Sequence, residues 1–148
     1  MFEQLFIGGA IVSLTIVSVA LFVGSGIGAL KRMGPWLQRP PYGIKAILSL
    51  ITVTLWLLAA LTAAVWIWAL AYIILGLFDT LEAALYFSVT AFTTLGFGDV
   101  LLPERWRLLA GICAANGLLL FGLITAFLVE FLTQLHHSQS KIKSKKDL

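Results

Sequence analysis

The sequence has 148 residues, of which 60% are hydrophobic and only 11% charged, with a formal net charge of +3. Soluble globular domains carry about a quarter of their residues as charged side chains, so an ordinary water-soluble fold is excluded and no nucleic-acid partner is expected. The lone cysteine, Cys113, provides neither a disulfide framework nor a cysteine metal site.

The first apolar stretch, Leu5 to Leu30, carries no charge. It exceeds the roughly 20 residues a helix needs to cross a bilayer core of about 30 Å. A cleaved signal peptide would begin with basic residues. This chain begins "MFEQLF", acidic at Glu3, and its basic pair Lys31-Arg32 follows the stretch. That charge order predicts a retained span with its N-terminus outside. "GSGIG", Gly24 to Gly28, mimics a nucleotide-binding fingerprint, but no strand precedes it, and small residues four apart are read as helix packing.

Between Lys31 and Lys45 lie Lys31, Arg32, Arg39 and Lys45 and no acid, which assigns this connection to the cytoplasm. Within it "RPPYG", Arg39 to Gly43, is a rigid corner that stops one helix and aims the next. The second span is predicted in the uncharged run Ala46 to Phe78. Trp66, Trp68 and Tyr72 toward one end, and Trp36 and Tyr42 before the other, suit the aromatic belts of the two membrane interfaces.

The segment from Asp79 to Arg107 holds Asp79, Glu82, Asp99 and Glu104 against Arg105 and Arg107, and is expected on the outer side. Inside it, "AALYFSVTAFTTLGFG" is too short for a comfortable span and ends in two glycines. A fourth span would also carry the lysine tail outside. The remaining option is a segment that enters the membrane and returns: a helix over "LEAALYFSVTAF", Leu81 to Phe92, then an extended return over "TTLGFGD". Asp79 and Thr80 are available to cap that helix, and Glu82 favours its positive end. The third span covers the uncharged run Leu108 to Val129 and continues to about Leu132. The tail, with Lys141, Lys143, Lys145 and Lys146 against Asp147, is assigned to the cytoplasm and is either solvated or in touch with anionic lipid. His136 and His137 are read as a pH sensor or as a solvated pair.

The chemistry of the glycine stretch follows from ion hydration. A cation entering a membrane must exchange water for other oxygens, and backbone carbonyls are fitting ligands. To aim consecutive carbonyls at one axis, alternate residues need dihedrals that side-chain-bearing L-residues avoid, and Gly96 and Gly98 supply them. Thr94 adds a hydroxyl oxygen, while Leu95 and Phe97 are expected to point away and pack on the short helix. One chain supplies one wall, so several chains must meet to surround an ion.

"TTLGFGD", Thr93 to Asp99, resembles the selectivity-filter signature of the potassium-channel family: threonine, an aliphatic residue, Gly, Tyr or Phe, Gly, then Asp or Asn. The resemblance spans outer helix, pore helix, filter and inner helix, Ile44 to Thr133. "GLLLFGLITAFL" from Gly117, with its Phe121-Gly122 pair, is similar to the family's pore-lining helix. The resemblance implies an all-α membrane protein with three transmembrane helices, a re-entrant pore helix and a filter loop. It implies a homotetramer that binds potassium at the carbonyls of Thr94, Leu95, Gly96 and Phe97, with Gly98 completing the filter. Thr93 and Thr90 would support the filter, and Asp99 at the outer mouth would accept a hydrogen bond from Tyr86. Thr90 departs from the glutamate or aliphatic residue often found there. Leu95 and Phe97 stay within the family's range, Phe97 without the hydroxyl of Tyr.

In the inner helix, Gly117 is a candidate hinge or packing residue, and Asn116 and Thr125 are candidate cavity-lining polar residues. Glu130 either draws cations to the inner mouth or sits at the interface. The expected organisation is an N-terminal helix with its basic connection (1–43), a pore module (44–133) and a basic tail (134–148). The expected function is passive, potassium-selective conduction across a plasma (inner) membrane, with the lipid bilayer as surroundings, no cofactor beyond the permeant ion and no enzymatic activity. The alternatives are a less selective monovalent-cation channel and a non-conducting assembly subunit. No span carries the repeated arginines of a voltage sensor.

Overall fold

Among the described residues of the computed structural model four helices follow one another: α1 (Phe2–Leu37), α2 (Tyr42–Ile74), α3 (Leu81–Phe92) and α4 (Arg107–Ser144), the last entered through a 3₁₀ turn at Glu104–Trp106. The structure describes residues 2–37 and 42–144, with side chains for 2–28 and 43–134. The corner at Arg39 to Pro41, the side chains of Trp36, Tyr42, His136 and His137, and the lysines of the tail lie outside the described residues and side chains. Three stretches are long and apolar enough to cross a membrane: Phe2–Gly28, Gly43–Ile74 and Glu104–Gln134. With 12 residues, α3 reaches only about 18 Å at about 1.5 Å per residue and cannot cross. The protein is thus all-helical around three spans, with one short apolar helix between the second and third.

Several aliphatic hydroxyls inside the spans are satisfied within their own helices. Ser13, Ser49, Thr52, Thr62 and Thr125 each donate to the carbonyl three or four residues earlier, at 2.8 to 2.9 Å. These bonds let polar side chains sit in a segment where water is not available.

The uncharged run that predicts the second span continues to Phe78, yet α2 ends at Ile74. The reason is Gly76, whose φ of 65° lies in the left-handed region. Its amide donates to Ile73 O at 2.9 Å and the Leu77 amide to Tyr72 O at 3.0 Å. That pair of bonds is a Schellman stop, which satisfies carbonyls at the helix end and turns the chain back.

The turn brings Phe78 and α3 onto α2. Tyr72 meets Phe78 and Phe87 edge-on at ring-centroid distances of 6.0 and 5.3 Å, and Trp68 packs on Tyr72 at 5.7 Å. Trp68 and Tyr72 are fully buried, so they are core residues between helices and not members of an interfacial belt. Their expected placement is corrected because the short helix covers them.

Helix α1 packs against both α2 and α4. Its buried positions, Gly8, Ile11, Thr15 and Val19, recur every three or four residues and form one stripe. Gly8 lies so close to α4 that a Cβ there would meet the Ile112 side chain at 2.7 Å. Farther along, the Trp56 indole of α2 donates to Phe22 O at 2.9 Å, and the two rings lie 5.2 Å apart.

Replacing Gly76 by alanine tests the stop. No neighbour obstructs a Cβ there, so the cost is conformational, about 1–2 kcal/mol for an L-residue in the left-handed region. Gly76→Ala is expected to lower the thermal unfolding midpoint of the purified protein, and Gly43→Ala, equally unobstructed, to leave it in place.

Candidate functional site

The site begins where α3 begins. Thr80 holds extended backbone, and its hydroxyl accepts from the Ala83 amide at 3.3 Å, with Glu82 in the first turn. Thr80, of the two predicted candidates, thus supplies the cap. The helix ends at Phe92, and the carbonyls of Val89, Thr90 and Ala91 in its last turn are partnered. Val89 O accepts the Thr93 amide at 3.0 Å and the Thr93 hydroxyl at 2.7 Å, and Ala91 O accepts the Thr94 amide at 2.9 Å. Thr90 O accepts two amides, from Leu95 at 2.9 Å and Gly96 at 3.1 Å. The chain after α3 is therefore hung from the helix end by its own N–H groups, which leaves its carbonyls free.

Along that chain the backbone alternates in hand. Thr94, Gly96 and Gly98 have φ of 60°, 52° and 78°, whereas Leu95 and Phe97 are not in the positive region. Glycine adopts such angles at no steric cost; Thr94 is a β-branched residue held there against preference. Nothing lies within 4 Å of a Cβ built on Gly96 or Gly98, so conformation and not space within the chain requires glycine at these positions.

At the outer end, the Tyr86 hydroxyl donates to Asp99 Oδ2 at 2.7 Å, joining α3 to the end of the return segment. The bond to the Asp99 carboxylate raises the Tyr86 phenol above its ordinary pKa range. The Thr90 side chain is buried and donates to Phe87 O at 3.0 Å in its own helix. The support Thr90 lends the return segment therefore comes from its main chain. Leu95 and Phe97, expected to pack on α3, are instead 58% and 66% exposed, since within one chain no surface faces them. Thr93 to Asp99 are all exposed.

The inner helix is bound tightly beneath this segment. A Cβ on Gly117 would overlap Phe92 O, so of the two roles considered for Gly117 the structure displays close packing. Gly117 lies about 15 Å along α4 from Arg107 at about 1.5 Å per residue, so the end of α3 reaches about halfway down a bilayer core. The Phe92 ring, also buried, meets Phe121 at 5.9 Å. Asn116, expected to line a cavity, is corrected: it is 1% exposed and donates through Nδ2 to Thr15 Oγ1 of α1 at 2.8 Å. The turn of α4 that puts Gly117 against Phe92 directs Asn116 to the other side. Thr125 is exposed, its hydroxyl donating to Phe121 O at 2.8 Å. Glu130, exposed near the far end, accepts from Gln134 Nε2 at 2.8 Å.

Two features escape sequence reasoning. One is the left-handed backbone of Thr94, a residue already named for the site; continuing the every-second-residue pattern of Gly98 and Gly96 backward would have found it. Thr15 carried no signal, because its partner lies 101 positions away.

Gly117→Ala is expected to force α3 from α4, since a carbonyl cannot yield as a flexible side chain does. The yield of folded, monodisperse protein after size exclusion should collapse. Gly111→Ala, with nothing within 4 Å of its Cβ, should purify like the parent.

Comparison with known proteins fits this geometry. The family model described as "Ion channel" matches residues 55–134. The potassium voltage-gated channel protein Shal of Drosophila melanogaster is 27% identical over 71 residues, which are 47% of this chain and 12% of that protein. The chain thus matches about an eighth of the length of that relative. No solved structure matches. The family match includes α3, the return segment and most of the described part of α4. With more than half of its length matched, and with the likeness to Shal supporting the potassium-channel resemblance, the chain is an integral membrane protein that belongs to the ion-channel family.

Proposed function

We propose that four copies of this chain form a potassium-selective pore, with Thr93 to Asp99 of each as one wall of the filter. The observation that carries this reading is the alternating hand of the backbone at Thr94, Gly96 and Gly98. In an extended strand successive carbonyls point to opposite sides. A change of hand at every second residue instead turns successive peptides the same way, so that Thr94, Leu95, Gly96 and Phe97 offer a ladder of oxygens. With their amides turned toward Thr90 O, Leu95 and Gly96 keep those oxygens for an ion. A dehydrated potassium ion needs such oxygens on all sides, and four walls around an axis supply them. The negative end of the α3 dipole, directed at the base of the filter, adds stabilisation for a cation.

The remaining parts take supporting roles. Residues 44–133 act as the pore module, with the 1–43 segment outside it. Tyr86 and Asp99 brace the outer mouth, which faces the exterior, while the C-terminal tail is cytoplasmic in a plasma (inner) membrane. Thr125 lines the cavity and Glu130 the inner mouth. The side chain of Thr90, bonded only within α3, does not brace the filter from behind. That observation favours a second reading, a less selective monovalent-cation pore, and reversal potentials in mixed potassium and sodium separate the two.

Mass measurement in detergent or nanodiscs should give a tetramer; monomers or dimers alone would count against the assembly. For selectivity, Gly96→Ala places an L-residue at φ 52°, a strain of about 1–2 kcal/mol that is relieved by flipping a peptide. Liposomes with this variant should lose potassium flux or its advantage over sodium flux, with insertion unchanged. Gly24→Ala in α1, unobstructed, should conduct like the parent. Unaltered potassium flux and selectivity in Gly96→Ala would remove the filter assignment.

A further inference from the structure

Asn116 and Gly117 are neighbours in α4 that face opposite partners. Gly117 is pressed on Phe92 O at the foot of the return segment. Asn116 is bonded to Thr15 of α1, and both of these side chains are essentially inaccessible, at 1% and 0% exposure. The Thr15 hydroxyl donates to Val12 O at 2.8 Å while it accepts from Asn116. Its donor and an acceptor site are both engaged, which fixes the rotamer and the direction of the contact.

The rest of the α1–α4 seam keeps the same register. Gly8, one heptad before Thr15 on the buried stripe, sits against Leu109 and Ile112, two turns and one turn before Asn116 respectively. At the start of the seam the Gln4 side-chain amide donates to Arg105 O. α1 is therefore fixed to α4 along the length of helix that runs from the entry of α4 to the foot of the return segment.

We propose that Thr15 and Asn116 are positioning residues for the filter, and that through them α1 holds α4 where Gly117 bears on Phe92. The proposal rests on the reading of Thr93 to Asp99 as the filter. The Thr15–Asn116 bond fixes the rotation of α4 about its own axis. A rotation of α4 moves Gly117 across Phe92 O, and a contact with no room for a methyl group has no slack to absorb it. Phe92 then shifts the end of α3, from which the amides of Leu95 and Gly96 are hung through Thr90 O. The first helix, which contributes no residue to the filter, in this way sets the filter's conformation.

The test is amide hydrogen exchange of the full-length protein in nanodiscs, with liposome flux measured on the same preparations. Thr15→Val keeps the shape of the side chain and removes the hydroxyl. Exchange in peptides covering 93–98 should rise about three- to twenty-fold, the range expected from interhelical hydrogen bonds in membranes. Peptides around Trp68, in the α2 core, should not change. Thr15→Ser, which restores the hydroxyl, should return the filter peptides to the parental rate. In case Thr15→Val folds poorly, Thr15→Val with Asn116→Leu removes the bond and leaves no orphaned amide. The double variant should insert normally and still exchange faster at 93–98. Unchanged filter exchange in folded Thr15→Val or the double variant, a uniform rise throughout the protein, or no rescue by serine would overturn the proposal. The flux arm judges the underlying reading separately: a parental protein that carries no potassium overturns the channel assignment, while the exchange pattern still decides whether α1 governs the 93–98 segment.

Discussion

The carbonyl of Thr90 accepts the amides of both Leu95 and Gly96, and the course of the chain after α3 depends on that double acceptance. A helix ending in a membrane leaves carbonyls with no water to satisfy them. Here the succeeding residues bend back to donate. The demand that terminates the helix also orients the segment that follows, and it does so with main-chain atoms. The threonine side chain at this position is free to differ from the residues found in other channels without loss of that support.

Helix contacts in lipid gain little from hydrophobic exclusion and rely on close approach. Two glycines of this chain show what that means. Gly8 admits the Ile112 side chain and Gly117 admits the Phe92 carbonyl, so α4 is held between α1 on one side and α3 on the other. The aromatic group of Tyr72, Phe78 and Phe87 does the same for α2 and α3 with large side chains. The short helix is thus wedged between two spans, one contact made by the absence of a side chain and the other by bulky ones.

Most of the architecture was legible because its signals are local. Charge-free runs mark the spans, and the bounds of α3 follow from Thr80 and the threonines after Phe92. The Tyr86–Asp99 bond was expected from the potassium-channel resemblance and not from any local signal. What could not be read depends on which helix lies beside which. Asn116 on an apolar helix suits a watery cavity as well as a buried partner, and only the proximity of Thr15 decides between them. Trp68 and Tyr72 look like interfacial aromatics until the Gly76 turn folds α3 over them. Leu95 and Phe97 were expected to pack on α3, and their exposure could not be read from a pattern that says only which residues are apolar.

Thr125 shows how a small local bond changes what a passing solute meets. Its hydroxyl proton is committed to Phe121 O inside the helix, so the exposed oxygen presents lone pairs outward and no donor. Such a group can help solvate a cation, but it has no hydrogen to offer chloride or any other anion. Any aqueous passage along this face of α4 would discriminate ions by the sign of their charge through a single oriented hydroxyl.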